Sequence, residues 1–151
     1  MKKILFLHSD SILLADTASF FKNKKEYEVE IFDNFEKAMS NVVNGKYDIA
    51  VSHYCDKEKK FNDSTLFLIE QKIPTIISIK NLSSSIYDSI YKHPILDSVI
   101  EDTLSYFDDI IEIIDRYYFN ATQTVLLVDG QRSKRYAIKN ILNSQNYIQI
   151  S

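Results

Sequence analysis

The stretch GKYDIAVSHYCD (residues 45–56) decides how the chain folds. A short apolar run follows a glycine, and a run of this length predicts a β-strand buried on both faces, here over residues 47–53. The predicted strand ends at His53. Ser52 lies directly before this histidine, and Cys55 and Asp56 lie shortly after it. In parallel α/β sheets ligands bind at the carboxyl ends of strands, so His53 is the first candidate functional residue.

Similar apolar runs alternate with longer amphipathic segments through residues 1–119. Alternation of strands and helices predicts an α/β fold with right-handed crossovers. We therefore expect a five-stranded parallel doubly wound sheet of the flavodoxin-like kind, with strand order 2-1-3-4-5. The other predicted strands are residues 3–8, 27–32, 74–79 and 96–101, and the predicted helices are residues 10–23, 34–45, 64–72, 83–92 and 103–120.

Helical spacing of apolar residues predicts the face of each helix that packs on the sheet. The first helix has Asp10 or Ser11 as its N-cap. The predicted inward stripes are Leu13, Leu14, Ala18 and Phe21 in the first helix, Phe35, Ala38, Met39, Val42 and Val43 in the second, and Leu104, Phe107, Ile110, Ile111, Ile114 and Tyr117 or Tyr118 in the last.

After Asn120 the pattern of the chain's beginning starts again. TVLLVDG (124–130), QRSKRYAIKNILNSQ (131–145) and NYIQI (146–150) repeat the first strand, the first helix and the second strand. A lone β-α-β unit cannot bury both faces of its own sheet. We therefore expect residues 121–151 to be the opening, truncated β-α-β unit of a second similar domain. Its uncovered surfaces predict that it packs on a neighbouring copy or is poorly ordered.

Composition limits the classes of function. The chain has 151 residues, 45% apolar and 26% charged, with a net charge of −3 and one cysteine. Its best basic cluster, RSKR at residues 132–135, is too short to indicate a nucleic-acid partner. No apolar run is long enough for a signal peptide or a membrane span. We expect a cytoplasmic protein without nucleic-acid or membrane partners, and the two glycines form no phosphate-binding loop.

The segments KKILFLHSDS (2–11), EKAMSNVVNGKYDIAVSH (36–53) and IPTIISIK (73–80) make residues 1–119 similar to the receiver domain of bacterial two-component response regulators. Residues 121–151 resemble the first third of such a domain. The resemblance implies an acidic pair after strand one that binds Mg²⁺, a phosphoacceptor aspartate ending strand three and a Thr or Ser ending strand four. It also implies a lysine ending strand five, with an aromatic residue three positions before it.

This sequence departs from the family's residues at nearly every one of these positions. Mg²⁺ prefers oxygen ligands, whereas imidazoles suit transition metals better. A glutamate in place of the lysine would repel a phosphoryl group. We therefore predict a degenerate receiver, or pseudo-receiver, which is not phosphorylated, has no catalytic residue and needs no cofactor. The positions concerned are His8 and Ser9 with Asp10 one step later, His53, Ile79, Ser98 and Glu101, whereas the second unit keeps Asp129 at the first acidic position.

Other hypotheses remain open at this stage. His8 and His53 belong to neighbouring strands and could form a phosphorylation or metal site together with Asp10, Asp56 or Cys55. The carboxyl ends of the strands, where the resemblance implies a phosphoryl group and Mg²⁺, could instead form a pocket that binds a small ligand as a sensor. The third interpretation is two polar side chains that fill the pocket.

The last helix carries more apolar surface than a sheet requires, which indicates an interface. We expect Phe107, Ile114, Tyr117 and Tyr118 to serve self-association or docking on the adjacent receiver-like domain. The resemblance implies that tandem receivers precede an output domain, for which a GGDEF diguanylate cyclase is the first choice. It also implies a sensor histidine kinase as a partner of the full-length protein.

Overall fold

A computed structural model describes residues 1–55, 60–61 and 63–151. Asp56, one of the candidate ligands named above, lies outside the described residues, and only the main chain of Cys55 is described. The strands are β1 (Lys2–Leu7), β2 (Tyr27–Phe32), β3 (Ile49–Cys55), β4 (Lys60–Phe61), β5 (Thr75–Ile79), β6 (Asp97–Ile100), β7 (Thr124–Val125) and β8 (Gln149–Ile150). The helices are α1 (Ser11–Phe21), α2 (Phe35–Val43), α3 (Asp63–Glu70), α4 (Ser84–Ile90), α5 (Tyr106–Asn120) and α6 (Arg132–Ser144).

The central sheet confirms the predicted fold class and strand order. Its parallel strands follow the order β2-β1-β3-β5-β6, which is the predicted 2-1-3-4-5 once the two-residue strand β4 is set aside. That strand pairs antiparallel with the end of β3, through Tyr54 with Phe61 and Cys55 with Lys60. The predicted end of strand three at His53 is therefore wrong, because β4 supplies main-chain partners for two more residues.

Both faces of the sheet are covered, which explains why the strands are continuous apolar runs. One face, which we call the α1/α5 face, packs against Phe21 of α1 and against Ile110 and Ile114 of α5. The opposite face packs against Ala38 and Val42 of α2, Leu68 of α3 and Ile90 of α4. The strand residues on the α1/α5 face are Ile4, Phe6, Ile49, Val51, Ile76 and Val99.

Several predicted helix faces need correction. Helix α5 begins only at Tyr106, so Leu104 precedes the helix and is fully exposed, whereas Tyr106 is buried. In α1 Phe21 is buried as predicted, but the other buried residue is Thr17, whose hydroxyl donates to the carbonyl of Leu13 at 2.7 Å, and Ala18 is exposed. In α2 the outer edge of the predicted stripe is also exposed, at Met39 and Val43. The predicted stripes are therefore wider than the surface that the sheet covers.

The segment after Asn120 reproduces the start of the chain in structure as well as in sequence. β1 pairs with β2 through Lys3 and Glu28, and β7 pairs with β8 through Thr124 and Gln149, each 121 residues later. The N-cap of α6, Gln131, likewise lies 121 residues after Asp10, the N-cap of α1. Helix α6 and the β7–β8 ladder are formed and contact the first domain (below), whereas packing of this segment on a neighbouring copy stays a prediction.

Apolar side chains of this second unit remain uncovered. Leu126 and Val128 are 74% and 83% exposed, whereas their equivalents Leu5 and Leu7 are buried in the first domain. Within the ranges that the structure describes, no helix combines the length and the hydrophobicity that a membrane span needs.

Candidate functional site

The carboxyl edge of the sheet gathers five polar side chains on the α1/α5 face. They continue the apolar columns of that face, because side chains alternate along a strand and a polar residue follows Phe6, Val51, Ile76 and Val99 two positions later. We call this set the edge cluster, and its members are His8, His53, Ser78, Glu101 and Tyr106.

The centre of the edge cluster is the contact between His8 and Glu101. His8 Nε2 lies 2.6 Å from Glu101 Oε1, and the two side chains are only 4% and 7% exposed. The backbone N–H of Asp10 donates to His8 Nδ1 at 2.9 Å. Nδ1 is therefore the acceptor nitrogen, and the Nε2 hydrogen is the one directed at the carboxylate. This arrangement engages both ring nitrogens of His8.

Ser78 and Tyr106 extend this contact into a chain of hydrogen bonds. The Ser78 hydroxyl donates to Glu101 Oε1 at 2.9 Å and lies 2.7 Å from the Tyr106 hydroxyl. Since Ser78 has one hydrogen and directs it to the carboxylate, Tyr106 is the donor to Ser78. Burial raises the pKa of Tyr106, which keeps its hydroxyl protonated as that donor. The carboxylate thus accepts from both His8 and Ser78.

His53 lies beside His8, as the predicted neighbourhood of strands one and three requires. The two ring centroids are 4.7 Å apart, and the rings are tilted by 40°. His53 is opposite Ser78 in the β3–β5 register, so both point to the α1/α5 face. The part of the chain that the structure describes contains no group of three or more His, Cys, Asp or Glu side chains able to hold a metal ion.

The remaining sequence candidates have other roles. Asp10 caps α1, since its carboxylate accepts from the N–H groups of Ile12 and Leu13. Both hydrogen bonds lower the pKa of Asp10, and the bond from Leu13 has the larger effect. Ser9 is exposed, and Ser98 lies outside the edge cluster, 2.9 Å from the Tyr91 hydroxyl.

The predicted position Ile79 is wrong as a member of the site. Its side chain is buried with Ile77 on the opposite face of the sheet, and Ser78 takes the place in the edge cluster. Strand alternation counted from Ile76 is the signal that would have selected Ser78. Tyr106 was missed because the last helix was expected to begin earlier, which placed its apolar stripe at Leu104.

The predicted interface on α5 is largely used within the first domain. Ile114 is 0% exposed in the core, so its prediction as an interface residue is wrong. The Phe107 ring stacks on Phe20 of α1 at 4.8 Å between centroids. Tyr117 and Tyr118 are partly buried and pack against the same core cluster.

The edge cluster has a pH dependence that can be measured. Burial by itself would raise the pKa of Glu101, but the hydrogen bonds from His8 and Ser78 and the charge of Lys80 outweigh it and lower the pKa. A carboxyl group whose pKa is lower in the folded state stabilises the fold above its unfolded pKa of about 4.3, and this contribution is lost as pH falls through the folded pKa.

We therefore expect the stability difference between the parent and Glu101→Gln to be full at pH 6 and to shrink towards pH 3. Urea unfolding at a series of pH values measures it. Asp10, Glu30 and Asp33 also have lowered pKa values, but they are present in both proteins and cancel in the difference. A difference that stays constant down to pH 3 would contradict the assignment to Glu101.

Comparison with known proteins identifies the class of fold. No family model and no curated protein sequence matches the chain. Among solved structures, a response regulator receiver domain protein (CheY-like) from Methanospirillum hungatei is 18% identical, with a TM-score of 0.59, over 76% of this chain and 91% of that one. The chain therefore has the fold of a response regulator receiver domain, the fold that its sequence resemblance implied.

Two further structures match more of the chain. A two-component system response regulator/GGDEF domain protein is 21% identical with a TM-score of 0.77, and the match covers 99% of this chain and 60% of that one. A shorter structure, the N-terminal domain of a response regulator/sensory box/GGDEF 3-domain protein from Carboxydothermus hydrogenoformans, is 21% identical with a TM-score of 0.57, over 81% of this chain and 100% of that one. This chain thus spans about 60% of the length of the first of these two structures.

Proposed function

We propose that residues 1–119 are a regulatory receiver-like module that is not itself phosphorylated and that acts through protein–protein contact. The observation that supports this most strongly is the contact between His8 and Glu101. By the resemblance, these positions carry an acid and a lysine in phosphorylated receivers. Here a histidine stands at the position of the acid and a glutamate at the position of the lysine, and the two side chains meet directly at 2.6 Å.

The residue types at these two positions and at position 53 weigh against phosphoryl transfer to a carboxylate. Such a transfer needs a nucleophilic carboxylate, a cation that bridges phosphate oxygens and a positive group beside the developing charge. An imidazole, His53, stands at the acceptor position, and another, His8, stands at the first metal position. The Glu101 carboxylate occupies the place of the positive group and would repel an incoming phosphoryl group.

We propose an exposed aromatic patch as the contact surface. Tyr87 of α4 and Tyr91, which follows the end of α4, are half-exposed, and their ring centroids are 4.5 Å apart. Tyr91 donates to Asp97 at 2.7 Å, and Arg116 of α5 pairs with the same carboxylate at 2.7 Å, so α4, β6 and α5 form one continuous surface. This surface serves self-association or docking on an adjacent receiver domain.

The output under this control is proposed by analogy. The two further structures described above come from proteins with a GGDEF domain by their descriptions, and the first structure extends well beyond the part that this chain matches. We therefore propose a diguanylate cyclase of the GGDEF type as the domain that the module regulates, and a sensor histidine kinase as an upstream partner of the full-length protein. Fold likeness alone carries this step.

Phosphorylation can be tested directly on the protein. After incubation with acetyl phosphate and Mg²⁺, or with beryllofluoride and Mg²⁺, we expect no mass gain and no change in melting temperature, because a ligand stabilises only a protein that binds it. Intact-mass spectrometry and calorimetry are the two measurements. A gain of one phosphoryl group, or a clear rise in melting temperature, would refute the proposal. His53→Ala is the matched variant, since it abolishes any gain that occurs at the acceptor position.

A further inference from the structure

We propose that the turn between α6 and β8 is a docking element that holds the second unit in one fixed orientation on the first domain. Three side-chain amides carry the contact, and we call them the amide clamp: Asn120, Gln145 and Asn146. The proposal concerns the joint between the two units, and it does not depend on whether the first domain is phosphorylated.

The amide clamp works in both directions across the joint. From the second unit, Gln145 Nε2 donates to the Ile95 carbonyl at 3.2 Å and Asn146 Nδ2 donates to the Tyr117 carbonyl at 2.9 Å. From the first domain, Asn120 Nδ2 donates back to the Gln145 carbonyl at 2.8 Å, and Asn120 is only 6% exposed. Reciprocal hydrogen bonds to main-chain atoms fix an orientation more tightly than contacts between mobile side-chain ends.

The hydrogen bond from Asn146 to the Tyr117 carbonyl completes the end of α5. Tyr117 lies in the last turn of α5, where carbonyl groups have no partner within the helix. Asn146 satisfies one of these groups from the second unit, so the end of α5 and the turn complete one another. Asn146 has a φ of 67°, a left-handed conformation that asparagine tolerates better than most residues.

The internal repeat shows that these amides belong to the joint and not to the fold in general. The residues 121 positions before Gln145 and Asn146 are Lys24 and Lys25, at the corresponding turn of the first domain. Lys24 there lies over the Phe20 ring at 4.5 Å instead of bonding to another unit. The fold therefore does not need amides at this turn, and docking accounts for their presence in the second unit.

The contact is narrow, so the hydrogen bonds set the orientation. Open grooves of about 550 and 480 Å³ lie between the units, and Pro94 of the first domain and Asn140 and Ser144 of α6 line both of them. Because the same residues line both grooves, the two units touch only along the narrow strip that separates the grooves. The match of both units to a longer response regulator, over 99% of this chain, also supports one defined arrangement.

Pulsed electron paramagnetic resonance on the whole chain tests the proposal. Spin labels replace the exposed residues Asp88 of α4 and Ser133 of α6 in a Cys55→Ser background, and the parent should give a single narrow distance distribution. Removing two clamp amides with Gln145→Ala and Asn146→Gly, where glycine keeps the left-handed φ accessible, should abolish the narrow peak. Asn143→Ala, which removes an amide with no role in the clamp, should preserve it.

Each outcome decides the question. A broad distribution in the parent, or a narrow one that survives in the double variant, would overturn the proposal. Circular dichroism confirms folding, and if the double variant does not fold, Asn146→Gly alone is measured and must broaden the distribution.

Discussion

Glu101→Lys is expected to lower the free energy of unfolding by about 2–6 kcal/mol, about 1–3 kcal/mol for each of the two buried donors that lose their acceptor. The Glu101 side chain is 7% exposed and accepts from both His8 and Ser78. A lysine there would replace the acceptor of two donors with a third donor, and it would bury an ammonium group without a counter-charge. Urea unfolding at neutral pH measures the loss.

Two matched variants sharpen this prediction. Glu70→Lys makes the same exchange at an exposed position of α3 and should change stability by no more than about 0.5 kcal/mol. His8→Asp combined with Glu101→Lys restores a pair of opposite charges and should recover much of the stability lost in Glu101→Lys alone. If the double variant loses as much stability as His8→Asp and Glu101→Lys lose together when each is measured alone, the two residues are not coupled, and the edge cluster does not depend on their contact.

Ile114→Ala is expected to cost about 2–5 kcal/mol, as large-to-small substitutions in a packed core do. Ile114 is 0% exposed and packs in the core of the α1/α5 face. Its removal leaves a cavity that a rigid β-sheet on one side cannot close. The measurement is the midpoint of chemical or thermal unfolding.

Ile12→Ala is the control for this second prediction. Ile12 is also an isoleucine within a helix, but it is 73% exposed on α1, and alanine is the better helix former there. We expect a change near zero or a slight stabilisation. If Ile12→Ala and Ile114→Ala lower the free energy of unfolding by similar amounts, the assignment of Ile114 to the core and of Ile12 to the surface is contradicted. If Ile114→Ala has only a small effect on stability, the core does not need the Ile114 side chain, and that side chain is available for the interface that the sequence predicted.

The edge cluster shows how far sequence reasoning reached. The resemblance selected His8, His53 and Glu101, and the structure places all three at one edge of the sheet. It selected Ile79 instead of Ser78, because counting along a motif ignores the alternation of side chains across a strand. Tyr106 belongs to the cluster only because α5 begins there, and helix starts without a side-chain cap are weak signals in a sequence.

The second unit likewise has features that the sequence predicted and features that only the structure shows. Its β-α-β pattern was readable from the restart after Asn120, and the structure contains α6 and a β7–β8 ladder. Its docking was not readable, because Gln145 and Asn146 look like any polar turn. Only their distances to Ile95 and Tyr117 give them a role.

By itself the sequence determined the alternation of strands and helices, the order of the parallel strands and the residue types at the carboxyl edge of the sheet. These features follow from local patterns, since apolar runs, caps and residue types can be read along the chain. Tertiary structure alone decided that His8 and Glu101 meet, that Ser78 and Tyr106 join them, and that amides hold the second unit in place. Such contacts join residues far apart in sequence, and hydrogen bonds depend on distances of a few tenths of an ångström that no local pattern encodes.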